Sequence, residues 1–132
     1  MRQKPPTRRE IVASPNAPAA IGPYSQAILA GNTLYCSGQI AFIPETGDLL
    51  QGEIEEETVQ VLENLGAVLR TAGMDYRHVV ACTVYLADIN DYGQVNEVYA
   101  RYFNESPPAR EAIEVSALPR GARVEISCTA VR

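Results

Sequence analysis

Two segments of the chain carry apolar residues at steps of three and four, which is the period of an amphipathic helix. The first segment, 54–72, begins with three glutamates that suit the positive end of the helix dipole, and Gly73 is placed to end it. We expect the acidic run 55–57 to cap and solvate this helix rather than to bind a metal or a substrate. The second segment, 92–103, follows an Asp-Ile-Asn-Asp sequence that is suited to capping a helix.

The second predicted helix has a polar residue within its apolar stripe. The stripe consists of Tyr92, Val95, Tyr99, Tyr102 and Phe103. Asn96 lies four residues after Tyr92 and therefore on the same side of the helix. Because a buried amide must be hydrogen-bonded, Asn96 either supports the fold or lies near a ligand.

Segments with the period of a pleated strand surround the two helices. They are 11–13, 27–30, 33–37, 78–87, 110–115 and 122–131. Gly31 and Asn32 predict a hairpin between the second and third strands, and a Pro-Arg-Gly turn joins the last two. Both faces of 78–87 are largely apolar, with Val80, Cys82, Val84 and Leu86 on one of them, so both faces should be covered.

This order of elements predicts an α+β domain in which two helices lie on one face of a mixed sheet. We expect the helices to bury Val80, Cys82, Val84, Val124 and Ile126. No further element remains to cover the other face, so we expect another copy of the chain to cover it. A closed ring of copies avoids open filaments and would place a site between subunits.

Two charges occupy unusual positions in the last two strands. In 110–115, the apolar Ile113 and Val115 share one face, while Arg110 lies on the other; in 122–131, Glu125 lies opposite the more apolar face. We therefore expect Arg110 and Glu125 on one face of a strand pair. They form either a cross-strand ion pair or part of a site.

Three residues near the first hairpin are further candidates. Tyr24 follows a bend at Gly22-Pro23, where its ring either packs in the core or meets a ligand. Ser37 lies opposite the apolar face of its strand, in the direction expected for Arg110 and Glu125. Gly38 lets a neighbouring group or a ligand approach the backbone closely.

The chain has 132 residues, of which 46% are hydrophobic, enough for one core. We predict a single domain over 11–132 after a flexible basic segment, 1–10, which either is disordered or contacts an acidic partner. The net charge of −5 argues against a broad phosphate-binding surface. Three separated cysteines and one histidine predict no disulfide framework and no metal site. Without a membrane span, we expect a soluble, cytoplasmic protein.

Five short motifs, in order and with compatible spacing, resemble the RidA/YjgF family of enamine and imine deaminases. They are Ala-Pro-Ala-Ala-Ile-Gly-Pro-Tyr-Ser-Gln at 17–26, Ser-Gly-Gln-Ile at 37–40, Val-Asn-Glu-Val-Tyr at 95–99, Pro-Ala-Arg at 108–110 and Val-Glu-Ile at 124–126. The resemblance covers about 11–132. It implies a chorismate-mutase-like α+β domain that assembles as a homotrimer with sites at the subunit clefts.

The resemblance also implies a reaction without a cofactor or metal, in which 2-aminoacrylate, 2-aminocrotonate and their imines become 2-oxo acids and ammonia. It makes Arg110 the anchor of the substrate carboxylate and Glu125 the group that positions water and moves its proton. Tyr24, Ser37, Gly38 and Asn96 match the residues that bind substrate.

The sequence departs from the family pattern at two positions near these residues. Ala112 replaces a cysteine found in many bacterial members, and Ser127 replaces a second glutamate found in some relatives. Other members lack this cysteine too, so catalysis need not depend on it. Two alternatives to a deaminase stay open: a non-catalytic protein that binds a small carboxylate such as a 2-oxo acid, and an endoribonuclease or translation inhibitor. The acidic charge and the lack of a histidine pair argue against the second alternative.

Overall fold

A single mixed sheet with two helices packed on one face forms the fold. The computed structural model describes residues 3–4 and 8–132, and this part of the chain contains six strands. The strands are β1 (Arg9–Val12), β2 (Ala27–Ala30), β3 (Thr33–Gln39), β4 (Val79–Leu86), β5 (Ala109–Glu114) and β6 (Val124–Val131). The helices are α1 (Ile54–Thr71) and α2 (Tyr92–Tyr102). The sheet order is β1-β2-β3-β6-β4-β5, so the predicted α+β class and the hairpin of β2 and β3 are confirmed.

The helices and the inner face of the sheet share one core. On α1 the buried residues follow the predicted stripe, from Thr58 and Val61 to Leu69. Leu34, Val84 and Ile126 meet them from the sheet, and all three are almost fully buried. Gly73, with a φ of 76°, ends α1 as predicted, and its N–H donates to the Arg70 carbonyl.

The predicted pairing of the last two strands is wrong. β4 lies between β5 and β6, and β5 runs parallel to β4, with Cys82 beside Arg110 and Tyr85 beside Ile113. Ala112 packs against the core, whereas Ile113 is 46% exposed. Arg110 therefore lies on the helix side of the sheet, because Ala112, two residues later, shares its face.

The predicted burial of Val80 is also wrong. The register of β4 against β6 shifts between Val79 and Ala81, so that one extra residue of β4 bulges out of the ladder. Val79 is buried, and Val80 is 48% exposed. From Cys82 onward the predicted alternation holds, and Cys82, Val84 and Leu86 all face the helices.

The acidic start of α1 has two different roles. Glu56 forms the predicted cap, since its carboxylate accepts the Glu53 N–H at 3.1 Å. Glu57 is not solvated: it is only 3% exposed and accepts both the backbone N–H of Arg123 (2.7 Å) and its Nε–H (2.8 Å). This ion pair ties the first turn of α1 to the start of β6, two residues before Glu125.

The remaining predictions concern the first strand, the N-terminal segment, membrane spans and metal sites. β1 begins at Arg9, two residues earlier than predicted. Half of the segment 1–10, which is predicted to be flexible, falls outside the described residues, and Arg9 and Glu10 belong to β1. Within 3–4 and 8–132, no helix is long and apolar enough to span a membrane, and no three His, Cys, Asp or Glu side chains are grouped to hold a metal ion.

Candidate functional site

Glu125 lies in a pocket of about 300 Å³ on the sheet face that the helices leave uncovered. The register of β6 pairs it with Tyr85, which places both side chains on that open face. Tyr24 and Gly38 line the same pocket, together with apolar side chains such as Ile40 and Phe42. Three of the residues predicted from sequence, Tyr24, Gly38 and Glu125, are thus brought together.

The Glu125 carboxylate is half-buried and has no ion-pair partner among residues 3–4 and 8–132. Burial raises the pKa of Glu125 above the ordinary carboxyl value. A carboxylate of this kind holds a proton more readily than one in water, so it is suited to taking a proton from water and returning it later.

Gly38 makes room for the Glu125 side chain. A Cβ atom built on Gly38 would lie 2.5 Å from Glu125 Oε2, 2.9 Å from Cδ and 3.1 Å from Cγ. We expect a neighbouring group or a ligand to approach the backbone closely at this glycine. In the isolated chain, Glu125 is the group that does so. The register of β3 against β6 also shifts between Cys36 and Gln39, which bends the strand at this point.

Replacement of Gly38 by alanine is expected to leave the protein folded and to reduce any activity that depends on Glu125 by roughly a hundredfold, because the carboxylate must move by about 1 Å. Steady-state kinetics and thermal unfolding measure the two effects. Gly93→Ala is the matched control, since no atom lies within 4 Å of a Cβ there. Unchanged activity in Gly38→Ala would contradict a role for the observed position of Glu125.

The raised pKa of Glu125 predicts a pH-dependent effect on stability. The folded state holds the Glu125 proton more tightly than the unfolded state, so stability falls as the pH rises from the ordinary carboxyl range through the raised pKa. Glu125→Gln removes the free-energy cost of ionising this half-buried carboxyl group. At pH 7 the denaturation midpoint of the variant should therefore equal or exceed that of the wild type. At a pH below both pKa values the gain should disappear.

Guanidinium denaturation at the two pH values measures this effect. Glu111→Gln, which changes an exposed carboxylate on β5, is the control. A loss of stability in Glu125→Gln at pH 7 would mean that the carboxylate makes a stabilising contact, contrary to this prediction.

Arg110 forms a second cluster, on the other face of the sheet. Its Nη1 donates to Asn96 Oδ1 at 2.7 Å, and its Nη2 donates to the Tyr92 hydroxyl at 2.6 Å. The guanidinium carbon lies 4.8 Å from the ring centre of Tyr99, within cation–π range. No carboxylate lies within 4 Å of Arg110 in the described part of the chain, so the described groups that contact its guanidinium are all neutral.

Asn96 is hydrogen-bonded within the chain. Its amide oxygen accepts from the predicted site residue Arg110, and whether it also lies near a ligand stays a prediction. The guanidinium keeps further N–H donors, which suit a bidentate contact with a carboxylate. Lysine does not reproduce that geometry.

Ser37 supports the loop that carries Tyr24. Its hydroxyl donates to the Ser25 carbonyl at 2.6 Å, and its backbone N–H donates to the Gln26 carbonyl at 2.9 Å. Tyr24 is 51% exposed, so the alternative of a core residue is wrong for the isolated chain. Ser37 and Tyr24 also line a neighbouring open groove, which places Ser37 beside the Glu125 pocket rather than with Arg110.

The predicted site residues thus form two groups on opposite faces of one sheet. Tyr24, Ser37, Gly38 and Glu125 belong to the open face, and Arg110 and Asn96 belong to the helix face. The placement of Arg110 and Glu125 on one face is wrong, because β4 separates their strands and the faces of β5 were assigned in reverse. The described chain has no Arg110–Glu125 ion pair, so that alternative is wrong too.

Sequence reasoning missed the two tyrosines that contact Arg110. The sequence pattern places Tyr92 and Tyr99 in the apolar stripe of α2 and predicts no contact with Arg110 for them. Tyr99 is indeed buried. Tyr92, however, is 39% exposed, and the buried residues of α2 are Val95, Val98 and Tyr99. A signal was present, because Tyr92, Asn96 and Tyr99 lie at steps of three and four, which places them on one side of α2.

Comparison with known proteins places the chain in a family. The family model described as Endoribonuclease L-PSP matches residues 14–132. The 2-iminobutanoate/2-iminopropanoate deaminase of Mus musculus is 52% identical over 124 residues, which cover 94% of this chain and 92% of that protein.

Solved structures share the fold. A putative endoribonuclease from Thermotoga maritima has a TM-score of 0.92 at 48% identity, covering 93% of this chain and 97% of that one. The E. coli protein TdcF, solved with bound serine, has a TM-score of 0.90 at 34% identity, covering 93% and 98%. The family resemblance seen in the sequence motifs is therefore confirmed, and the chain belongs to the Endoribonuclease L-PSP family, also called the RidA/YjgF family.

Proposed function

We propose that this protein is a deaminase that hydrolyses 2-iminopropanoate, 2-iminobutanoate and the enamines from which they form, giving 2-oxo acids and ammonia. The observation that carries the proposal is the state of Arg110, a half-buried cation that, among the described residues, contacts only neutral groups and can bind a carboxylate. The names of relatives about half identical to this chain support the same reaction.

Arg110 is the proposed anchor of the substrate carboxylate. Asn96 and Tyr92 hold the guanidinium at two of its N–H groups, so little further order is lost when a carboxylate binds to the others. A fixed carboxylate fixes the neighbouring imine carbon, which is already electrophilic and needs mainly orientation and a positioned water.

Glu125 is the proposed proton carrier. As water attacks the iminium carbon, a C–O bond forms and the carboxylate takes the proton that the water loses. Glu125 then returns the proton to the nitrogen of the tetrahedral intermediate, the C–N bond breaks, and the hydroxyl oxygen forms the C=O bond of the 2-oxo acid. The hydroxyl proton passes to the Glu125 carboxylate and from there to the ammonia, which leaves as ammonium. The raised pKa of Glu125 makes its carboxylate a stronger base for the first transfer than an ordinary carboxyl group.

One site that uses both residues requires two copies of the chain. We infer a homotrimer in which Arg110 of one copy faces the Glu125 pocket of the next. The opposite placement of the two groups supports this assembly, as does the open sheet face, where Tyr35 and Ile113 are exposed. A closed ring gives every copy the same contact and leaves no open end.

The cellular compartment that we infer is the cytoplasm. Cys36, Cys128 and Cys82 lie opposite one another across three adjacent strands, and all three are buried and free. Thiols that persist unpaired at such short strand separations suit a reducing compartment.

The direct test generates 2-aminoacrylate in situ from serine with a serine dehydratase and follows pyruvate release. Wild-type protein should accelerate the release, and Arg110→Ala should not. Saturable binding of a 2-oxo acid without acceleration would instead support a non-catalytic carboxylate-binding protein. RNA cleavage that survives both Arg110→Ala and repurification would support the endoribonuclease named in the family description.

A further inference from the structure

Tyr92 begins α2 at the rim of the Arg110 cluster. Its hydroxyl oxygen accepts the Nη2–H of Arg110 at 2.6 Å, and the guanidinium carbon lies 5.5 Å from its ring centre. The side chain is 39% exposed, so a small molecule that reaches Arg110 also reaches this hydroxyl.

Within the described chain the Tyr92 hydroxyl donates no hydrogen bond, and its exposure leaves the proton to water or a ligand. A phenol has one proton, and the hydrogen bond from Arg110 occupies the oxygen as an acceptor, so the proton must point away from the cation. In residues 3–4 and 8–132, no acceptor receives it. The result is a free O–H donor beside free guanidinium N–H donors, with no acidic side chain within 4 Å of Arg110.

We propose that the Tyr92 hydroxyl donates a hydrogen bond to the carboxylate that Arg110 binds, and that Tyr92 is therefore a further substrate-binding residue. The inference rests on the carboxylate anchor of the proposed function but not on turnover. The bond from Arg110 to the Tyr92 oxygen polarises the O–H group, which strengthens its donation to an anion. Hydrogen bonds to charged groups are the stronger ones in proteins.

The test is the affinity for 2-oxobutanoate, measured by titration calorimetry on the full chain. Tyr92→Phe removes one oxygen atom and keeps the ring beside Arg110, so the unfolding temperature should not change. The dissociation constant should rise by roughly tenfold, the effect of one hydrogen bond to a charged group. In a structure of the wild-type complex, Tyr92 Oη should lie within hydrogen-bond distance of a carboxylate oxygen.

Tyr102→Phe is the matched control. It removes a hydroxyl from the same helix, but one that bonds to Glu63 Oε2 at 2.8 Å and lies apart from Arg110. If Tyr92→Phe changes the affinity no more than Tyr102→Phe, the proposal is overturned. The same holds if affinity falls but the complex shows Tyr92 Oη out of reach of the carboxylate, because Tyr92 then acts only by positioning Arg110.

Two outcomes distinguish the absence of the Tyr92 contact from the absence of deaminase activity. If 2-oxobutanoate binds in a way that depends on Arg110 and Tyr92 but imine hydrolysis is not accelerated, the deaminase proposal is overturned and the Tyr92 contact stands. If the protein hydrolyses imines but its affinity for 2-oxobutanoate does not change in Tyr92→Phe, the deaminase proposal stands and the Tyr92 contact is overturned.

Discussion

Replacement of Arg110 by alanine is expected to lower kcat/KM for imine hydrolysis by roughly 10²–10³-fold. The change removes the only cation of its cluster and leaves the acceptor oxygens of Asn96 and Tyr92 without their donor. A substrate without its carboxylate anchor binds weakly and also loses the orientation of its imine carbon, so both KM and kcat should worsen. Steady-state release of 2-oxo acid measures the loss.

Two further variants separate charge from geometry. Arg110→Lys keeps the charge but not the bidentate contact, so it should remain well below the wild type. Arg101→Ala removes an exposed cation from α2 and should leave the rate unchanged. If Arg110→Ala kept wild-type activity, the substrate carboxylate would have to bind elsewhere. An equal loss in Arg101→Ala would indicate a general electrostatic effect instead.

The elements of the fold follow from local patterns. The apolar period of 54–72 predicted α1 to within a residue, and Gly73 ended it where a left-handed residue was needed. The Gly31-Asn32 turn predicted the pairing of β2 with β3. These features depend on residues close together in the chain, so periodicity and turn chemistry are enough to find them.

The order of strands and the faces of the edge strand depend on distant residues. β5 is an edge strand: Arg110 contacts α2 and Ala112 packs against the core on one side, and the apolar Ile113 is left on the open face. Alternation alone assigns the more apolar side to the core, and here that rule gave the wrong face. The bulge at Val80 likewise arises from the pairing of β4 with β6, which no local pattern encodes.

The sequence predicts the residues of the candidate site but not how the fold arranges them. Motif resemblance selected Tyr24, Ser37, Gly38, Asn96, Arg110 and Glu125. It did not indicate that these residues divide between two faces, because short motifs carry no information on which side of a shared sheet each strand presents. The contact of Tyr92 with Arg110 was hidden for a related reason: in an apolar stripe, a tyrosine at the first turn of a helix looks like a packing residue.

The division of the site between two faces predicts that two inactive variants restore activity when they assemble together. In the proposed homotrimer, Arg110→Ala and Glu125→Gln should each be nearly inactive when all three copies carry the same change. In a mixed trimer, one interface pairs the intact Arg110 of a Glu125→Gln copy with the intact Glu125 of an Arg110→Ala copy. Whichever variant is in the majority, a ring of three contains one such interface, so mixed trimers should show about one third of wild-type activity.

Co-expression with two different affinity tags, followed by purification on both, isolates the mixed trimers for the same 2-oxo acid assay. Each doubly tagged variant paired with itself gives the matched control and should stay inactive. Persistent inactivity of the mixed trimers would place Arg110 and Glu125 of one site on the same chain, against their positions on opposite faces of the sheet. Restored activity would instead assign them to neighbouring copies, since two defects in the same site cannot complement each other.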